Sequence, residues 1–131
     1  MRVLIIGQKS FIAKNFINKY TNQINFFYFN LYFSKNYKKF NKQLLSYVRR
    51  NKIKHIINFA GNNNNSLKLN DNESLLKDNF ILPINLVNLF KYEKINFTFF
   101  LSTEIDKIEK HKENNLYALS KFFLKDSLRF I

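Results

Sequence analysis

Cysteine is absent from this chain, and proline and glycine are almost absent, with one and two copies among 131 residues. Without cysteine the chain forms neither a disulfide framework nor a thiolate metal site, which is typical of proteins in the reducing cytoplasm. The scarcity of proline and glycine leaves no flexible linker, so we expect one domain. The two histidines, His55 and His111, lie at the start of a predicted strand and in a charged segment. We therefore predict no metal site and no histidine triad.

Long apolar runs are also missing. The longest, 3–6 and 97–101, fall far below the roughly 20 residues that a membrane helix needs, and the amino terminus has the pattern of a strand rather than of a signal peptide. We therefore expect a soluble protein that does not bind membranes.

Acidic residues are few, with nine against 22 basic residues and a formal net charge of +13. Such a charge favours binding to nucleic acid, because basic proteins gain affinity by releasing the counterions of the phosphates. The lysines are spread over every segment, however, and no nucleic-acid motif accompanies them. We interpret the charge as compositional background and do not expect a nucleic-acid partner.

The chain does contain a regular alternation of strand-like and helix-like segments. Apolar runs predict strands over 2–6, 24–30, 55–60 and 97–102, with a further short strand near 31–34. Helical spacing predicts helices from Ser10, as N-cap, to Tyr20, over 37–51 and 71–92, and from Asn114 or Asn115 to the chain end. The alternation is typical of an α/β fold with a three-layer, doubly wound parallel sheet.

A tyrosine and a lysine carry the clearest chemical signal. Tyr117 and Lys121 are four residues apart on the last predicted helix and share one face, so the ammonium can ready the phenol for proton transfer. Ser102 and Thr103 precede them at the end of an apolar run. The set is typical of oxidoreductases and epimerases. Because Tyr-x-x-x-Lys arises by chance about once in so lysine-rich a chain, its context decides its meaning.

Three further motifs supply that context. Residues 7–13 read Gly-Gln-Lys-Ser-Phe-Ile-Ala, residues 58–61 read Asn-Phe-Ala-Gly, and the long predicted helix carries Asn79 and the Asn85-Leu86 pair. With the Ser-Thr and Tyr-x-x-x-Lys set, in this order, the whole chain resembles the amino-terminal part of an extended short-chain dehydrogenase/reductase. That group contains NAD(P)-dependent nucleotide-sugar epimerases, dehydratases and reductases. The resemblance implies a Rossmann-like sheet of about five strands in the order 3-2-1-4-5.

The resemblance implies a dinucleotide site around the first turn, where a glycine loop brings pyrophosphate to a helix N-terminus. Of the family's three glycines only Gly7 is present, and Ser10 and Ala13 replace the others. The implied cofactor is NAD or NADP, and its implied binding residues are Gly7, Ser10, Phe11, Ile12, Asn30, Phe59, Ala60, Gly61 and Lys121.

The choice between NAD and NADP stays open. Asn30 stands where an acidic residue would favour NAD. The nearby lysines can hold a 2′-phosphate or form an ordinary solvated face; they are Lys35, Lys38 and Lys39.

The resemblance also assigns catalytic roles. Tyr117 would be the general acid/base, Lys121 would orient the ribose and assist the tyrosine, and Thr103, or alternatively Ser102, would hydrogen-bond the reacting oxygen. Asn79 would hold a water that relays protons to the lysine. Pro83 has no N–H to give the Asn79 carbonyl, which would leave that carbonyl free; the alternative is a bent packing helix without catalytic meaning.

The resemblance finally bears on partners. We expect residues 1–131 to form a truncated NAD(P)-binding Rossmann-like domain that lacks the family's C-terminal substrate domain. The implied substrate is a nucleotide-sugar. The helices at about 71–92 and 115–131 imply a homodimer, or a partner chain that supplies the rest. Two functions follow: a cytoplasmic NAD(P)-dependent oxidoreductase or epimerase, or a non-catalytic Rossmann-like remnant or subunit that at most binds a dinucleotide.

Overall fold

Four parallel strands form one sheet. They are β1 (Arg2–Ile6), β2 (Asn25–Tyr28), β3 (His55–Asn58) and β4 (Asn96–Phe99), and they lie in the order β2-β1-β3-β4. The computed structural model describes residues 1–29, 37–62, 69–102, 105 and 115–130, without the side chains of 69–71. The strand predicted near 31–34 lies outside these residues. The four described strands follow the predicted order 2-1-4-5, which confirms the Rossmann-like α/β fold.

The helices alternate with the strands as predicted. They are α1 (Phe11–Tyr20), α2 (Tyr37–Arg50), α3 (Leu69–Leu76), a π-helical turn (Lys77–Ile81), α4 (Leu82–Phe90) and α5 (Leu116–Ser127). The predicted last helix was too long at its end, because α5 stops at Ser127 and a turn follows. Among the described residues, no helix combines the length and apolar character needed to cross a membrane.

Two predicted helix caps are confirmed. The Ser10 hydroxyl accepts a hydrogen bond from the Ala13 N–H at 3.2 Å, and the Asn115 side chain accepts one from the Ala118 N–H at 2.7 Å. Each cap satisfies a backbone donor that the first helical turn leaves without a partner, a contribution of about 1 kcal/mol. These caps fix the first residues of α1 and α5, on which the candidate site residues lie.

The chain divides into two units. Unit 1 comprises residues 1–60 and 89–99 and contains the described sheet with α1 and α2. Unit 2 comprises residues 61–88 and 100–131 and contains α3, the π-helical turn and α5. The helix α4 begins in unit 2, and its last residues belong to unit 1.

Unit 1 has a core on both faces of the sheet. Successive residues of a strand point to opposite faces, and β1 is apolar on both because Val3 to Ile6 are all buried. One face packs against α1 through a cluster that contains Val3, Ile5 and Ala13. On the other face, the ring centroids of Phe90 and Phe97 are 6.3 Å apart. Burial on both faces is the reason why β1 is an uninterrupted apolar run.

Candidate functional site

The turn after β1 lies directly against the chain that leaves β3. Gly7 has a φ of +78°, and the Ser10 N–H closes the turn on the Gly7 carbonyl at 3.0 Å. A Cβ on Gly7 would lie 2.3 Å from the Ala60 nitrogen and 2.7 Å from the Phe59 carbonyl carbon. Both the backbone conformation and the close approach therefore require glycine. The structure brings together the predicted residues Gly7, Phe59 and Ala60.

Asn58 fixes the other side of this contact. Its buried side chain accepts a hydrogen bond from the Ala60 N–H at 3.1 Å, while the Phe59 N–H bonds to the Ile6 carbonyl at 2.8 Å. An asparagine that bonds the backbone two residues ahead forms an Asx-turn. Sequence reasoning identified Asn58 only as part of a motif and missed this role.

The first turn of α1 has two exposed apolar side chains. Phe11 and Ile12 are 80% and 60% exposed, so they do not join the buried face of the helix, to which Ala13 and Phe16 contribute. The N–H groups of a first turn have no partner within the helix and carry the positive end of its dipole. The Ser10 hydroxyl takes one of these donors, the N–H of Ala13. The serine therefore satisfies one of the backbone donors of this turn.

In unit 2, Asn79 holds the segment that follows the Asn-Phe-Ala-Gly motif. Its side chain is fully buried; the amide oxygen accepts from the Asn62 N–H at 2.9 Å, and the amide nitrogen donates to the Asn62 carbonyl at 2.7 Å. A two-point hydrogen bond fixes both position and orientation of the Asn62 backbone. The role of Asn62 was missed, because a backbone partner leaves no signal in residue type.

The helix around Asn79 departs from regular α-helical geometry, as expected of a helix that contains Pro83. The segment Lys77–Ile81 is a π-helical turn, and the Leu82 N–H bonds to the Lys77 carbonyl, five residues back instead of four. Pro83 has no N–H and cannot satisfy the Asn79 carbonyl in the usual α-helical pattern. Such turns often occur at functional sites. Asp78 lies in the same turn, and burial raises the pKa of its carboxyl, partly offset by the charge of Lys77.

Lys121 is buried, with 7% of its surface exposed. Its ammonium donates a hydrogen bond to the Phe100 carbonyl at 3.2 Å. Burial lowers the pKa of the Lys121 side chain, because a charged group loses solvation in the interior. A Cβ on Gly61 would lie 3.7 Å from the Lys121 nitrogen and 3.1 Å from the Asn79 amide oxygen. Three predicted residues, Gly61, Asn79 and Lys121, are thus neighbours in unit 2.

Tyr117 lies one turn before Lys121 on α5, and its side chain is half-buried. Its carbonyl accepts a hydrogen bond from the buried Ser120 hydroxyl at 2.7 Å, which ties the turn between the two residues. Ser102 is half-buried, and its carbonyl accepts from the Ile105 N–H at 3.2 Å. Thr103 and Asn30 lie outside the described residues, so their assigned roles stay predictions.

His55 has a partner within the sheet. Its Nε2 lies 2.8 Å from the Thr98 hydroxyl on the neighbouring strand, and burial lowers the pKa of the imidazole. In the part of the chain that the structure describes, no group of three metal-ligating side chains occurs.

Solved structures share this fold. No protein-family model matches the chain, and no curated protein matches it by sequence. The dTDP-4-dehydrorhamnose reductase of Bacillus anthracis, solved with NADP, superposes with a TM-score of 0.76 at 14% identity, over 98% of this chain and 49% of its own. The UDP-glucose 4-epimerase of Bifidobacterium longum, solved with NAD+ and UDP, gives 0.75 at 17% identity over 99% and 48%.

A third match is the UDP-Glc/GlcNAc 4-epimerase of Campylobacter jejuni, with a TM-score of 0.74 at 16% identity over 98% of this chain and 48% of that one. The chain therefore spans about half the length of the structures it matches. At these identities the likeness shows the fold alone. The chain has the fold of about half of a nucleotide-sugar reductase or epimerase, as its resemblance to that group predicted.

Proposed function

We propose that this protein is a cytoplasmic NAD(P)-dependent oxidoreductase or epimerase that acts on a nucleotide-sugar. The observation that carries the proposal is the buried lysine, Lys121, four residues after the half-buried Tyr117 on α5. A buried ammonium without a catalytic task costs stability, since desolvation opposes its charge. The shared fold supports the proposal, because matched structures contain NADP, or NAD+ and UDP.

The chain's own residues fit a dinucleotide at two places. In unit 1, the first turn of α1 presents backbone N–H groups and exposed side chains beside the glycine turn, which suits a pyrophosphate. In unit 2, Gly61 keeps space open beside the Lys121 ammonium, because a methyl group there would touch Asn79 as well. The choice between NAD and NADP rests on Asn30 and the lysines near it, whose contribution stays a prediction.

In the proposed mechanism, Tyr117 gives a proton to, or takes one from, the reacting oxygen of the sugar. Lys121 supports the phenolate by its charge and offers donors to ribose hydroxyls; its bond to the Phe100 carbonyl uses one of three. Thr103, or Ser102, would hold the reacting oxygen in place. Asn79 fixes the Gly61–Asn62 segment beside the ammonium, and its carbonyl is the proposed acceptor for a relay water. The nicotinamide cofactor supplies the hydride chemistry when it is bound.

Replacing Tyr117 with phenylalanine tests this assignment. We expect NAD(H) or NADP(H) to bind both proteins saturably, and we expect kcat with a nucleotide-sugar to fall by about 10²- to 10⁴-fold in the variant, because the proton donor is lost. Fluorescence titration of the reduced cofactor and a turnover assay measure the two quantities. Tyr92→Phe, at an exposed tyrosine of unit 1, is the matched control. Equal turnover in the Tyr117→Phe variant and the wild type would contradict the proposed role.

A second function is favoured by the first turn of α1. Ser10 stands where the resembled family has glycine, and its hydroxyl already accepts the Ala13 N–H. A site with fewer free donors suits a protein that binds a dinucleotide weakly and turns nothing over. This alternative predicts saturable cofactor binding without turnover in the wild type. Absence of binding at millimolar cofactor would exclude the oxidoreductase or epimerase.

We also propose a homodimer through the helices at about 71–92 and 115–131, with a partner chain as the alternative. Exposed apolar side chains on both helices, Ile81 and Phe123, support it, and Phe123 packs on Phe80 with ring centroids 6.4 Å apart. Phe123→Asp should raise the dimer dissociation constant at least about 30-fold, as loss of a central aromatic contact does. Sedimentation equilibrium measures it. Ile12→Asp, at an exposed residue of α1, should leave it unchanged; a wild-type monomer would refute the dimer.

A further inference from the structure

The net charge of the chain is concentrated in unit 1. The first 70 residues contain no aspartate or glutamate, and Glu93 is the one acidic residue in the sequence of unit 1. Unit 1 holds fourteen of the 22 lysines and arginines, whereas unit 2 holds eight basic and eight acidic residues. The formal charge of +13 therefore belongs entirely to unit 1. The two units differ mainly in their acidic residues, one against eight, so a general bias toward lysine does not account for the asymmetry.

Much of this charge lies where the strands begin. The four strands are parallel, so their amino ends share one edge of the sheet, and the turns after α1, α2 and α4 lead into it. Hydrogen bonds tie this edge together, since the Arg2 guanidinium donates to the Asn51 carbonyl at 2.9 Å and the Asn96 N–H to the Lys54 carbonyl at 3.0 Å. Eight exposed basic residues lie there and are called the basic edge: Arg2, Lys19, Arg49, Arg50, Lys52, Lys54, Lys91 and Lys94.

Little of this charge is neutralised by ion pairs among the residues that the structure describes. Glu93 is the one acidic residue in the sequence of unit 1, and it pairs with Arg49 at 2.6 Å. Like charges held on one surface repel each other, which lowers the stability of the folded chain. A polyanion that binds there removes this cost and gains the entropy of released counterions.

Tyrosine rings lie beside the same cations. Three cations sit over three rings: Lys91 over Tyr92 at 4.9 Å from the centroid, Lys19 over Tyr20 at 5.4 Å and Arg50 over Tyr47 at 5.9 Å. Tyr92 is 90% exposed, so most of its ring is open to a ligand. Cations that track a phosphate backbone, together with rings on which bases stack, form the recognition surface of proteins that bind single strands.

We propose, in place of the expectation from sequence alone that no nucleic acid binds, that the basic edge binds single-stranded nucleic acid, with its lysines and arginines on the phosphates and Tyr92 stacked on a base. This surface is distinct from the glycine turn, which is the unit 1 part of the proposed dinucleotide site. Arg2 begins β1 and Gly7 follows it, which separates the two by about 15 Å along the strand. An anionic membrane or an acidic protein would also attract the cations of this edge, but neither has bases that can stack on a ring. The exposed Tyr92 ring beside Lys91 therefore favours a nucleic acid.

Fluorescence anisotropy with a labelled oligothymidylate tests the proposal on the full chain. The wild type should bind saturably, with affinity that falls steeply as salt rises. The triple variant Lys54→Gln, Lys91→Gln, Lys94→Gln should bind about tenfold more weakly or worse, and its slope of log affinity against log salt should be shallower by about 2. The matched control is Lys14→Gln, Lys38→Gln, Lys42→Gln, which removes the same charge from exposed helical positions of unit 1. This control should keep most of the affinity for the oligothymidylate and most of the slope against salt.

A second variant tests the stacking. Tyr92→Ala should weaken binding about fivefold or more without changing the salt slope, because it removes a ring and no charge. Circular dichroism melting establishes that each variant is folded; Tyr92 is so exposed that its loss should leave the melting temperature unchanged. Equal affinity of both triple variants, an unaffected Tyr92→Ala variant, or tighter binding to phosphatidylserine vesicles than to the oligonucleotide would each overturn the proposal.

Discussion

Gly7→Ala should destabilise the folded chain by about 3 kcal/mol or more. The left-handed backbone costs an alanine about 1–2 kcal/mol, and overlap in a packed region costs about 1–3 kcal/mol. The overlap here is severe, because the Cβ would lie 2.3 Å from a backbone nitrogen, which no change of rotamer relieves. Such a loss is a large part of the stability of a domain. Urea unfolding followed by circular dichroism measures it.

Two further variants separate the causes. Gly7→Asn tolerates a positive φ but still carries a Cβ, so a loss as large as that of alanine shows that the contact with Ala60 causes most of the destabilisation. Gly61→Ala is the matched control at the other glycine, where the Cβ would press on the Asn79 side-chain oxygen at 3.1 Å instead of on backbone; we expect a loss of about 1 kcal/mol. A Gly7→Ala variant as stable as Gly61→Ala would show that the turn and β3 do not pack this closely.

The strands and helices were predictable where local signals and burial agree. β1 is apolar at every position from Val3 to Ile6, as expected of a strand that is buried on both faces. Ser10 and Asn115 cap helices because each offers an oxygen to the backbone N–H three residues on. The distortion near Asn79 was foreseeable from Pro83, since a missing N–H is a property of the residue itself.

Other features could not be predicted, because they depend on backbone atoms or on tertiary placement. Lys121 donates to the Phe100 carbonyl, and Asn79 holds the Asn62 backbone. Both partners are backbone groups, which the type of residue does not reveal. Phe11 and Ile12 are exposed on the first turn of α1, which the sequence pattern does not reveal, because tertiary packing decides which residues of that turn are covered. The absence of aspartate and glutamate from the first 70 residues is readable in the sequence, but the gathering of basic residues at one edge of the sheet depends on the strand order.

Lys121→Met should abolish turnover while leaving the chain at least as stable at pH 7. Methionine fills a similar volume without a charge, and replacing a buried charge by an apolar group is often neutral or stabilising. We expect kcat/KM with a nucleotide-sugar to fall by about 10³-fold or more, because both the ribose contact and the support of Tyr117 are lost. A turnover assay and urea unfolding on the same preparation measure both quantities. Lys125→Met, on the same helix, is the control and should keep activity.

The Lys121→Met variant should also change how the free energy of unfolding depends on pH, whereas the Lys125→Met control should not. Burial lowers the pKa of Lys121 below its ordinary value of 10.5, so the folded chain releases this proton at a lower pH than the unfolded chain. Between the two pKa values the unfolded state binds more protons, and the free energy of unfolding must rise with pH through that window. The rise should be present in the wild type and in Lys125→Met and missing in Lys121→Met. Parallel pH profiles for all three proteins would mean that the Lys121 ammonium is solvated, and with that the observation behind the proposed catalytic role would be lost.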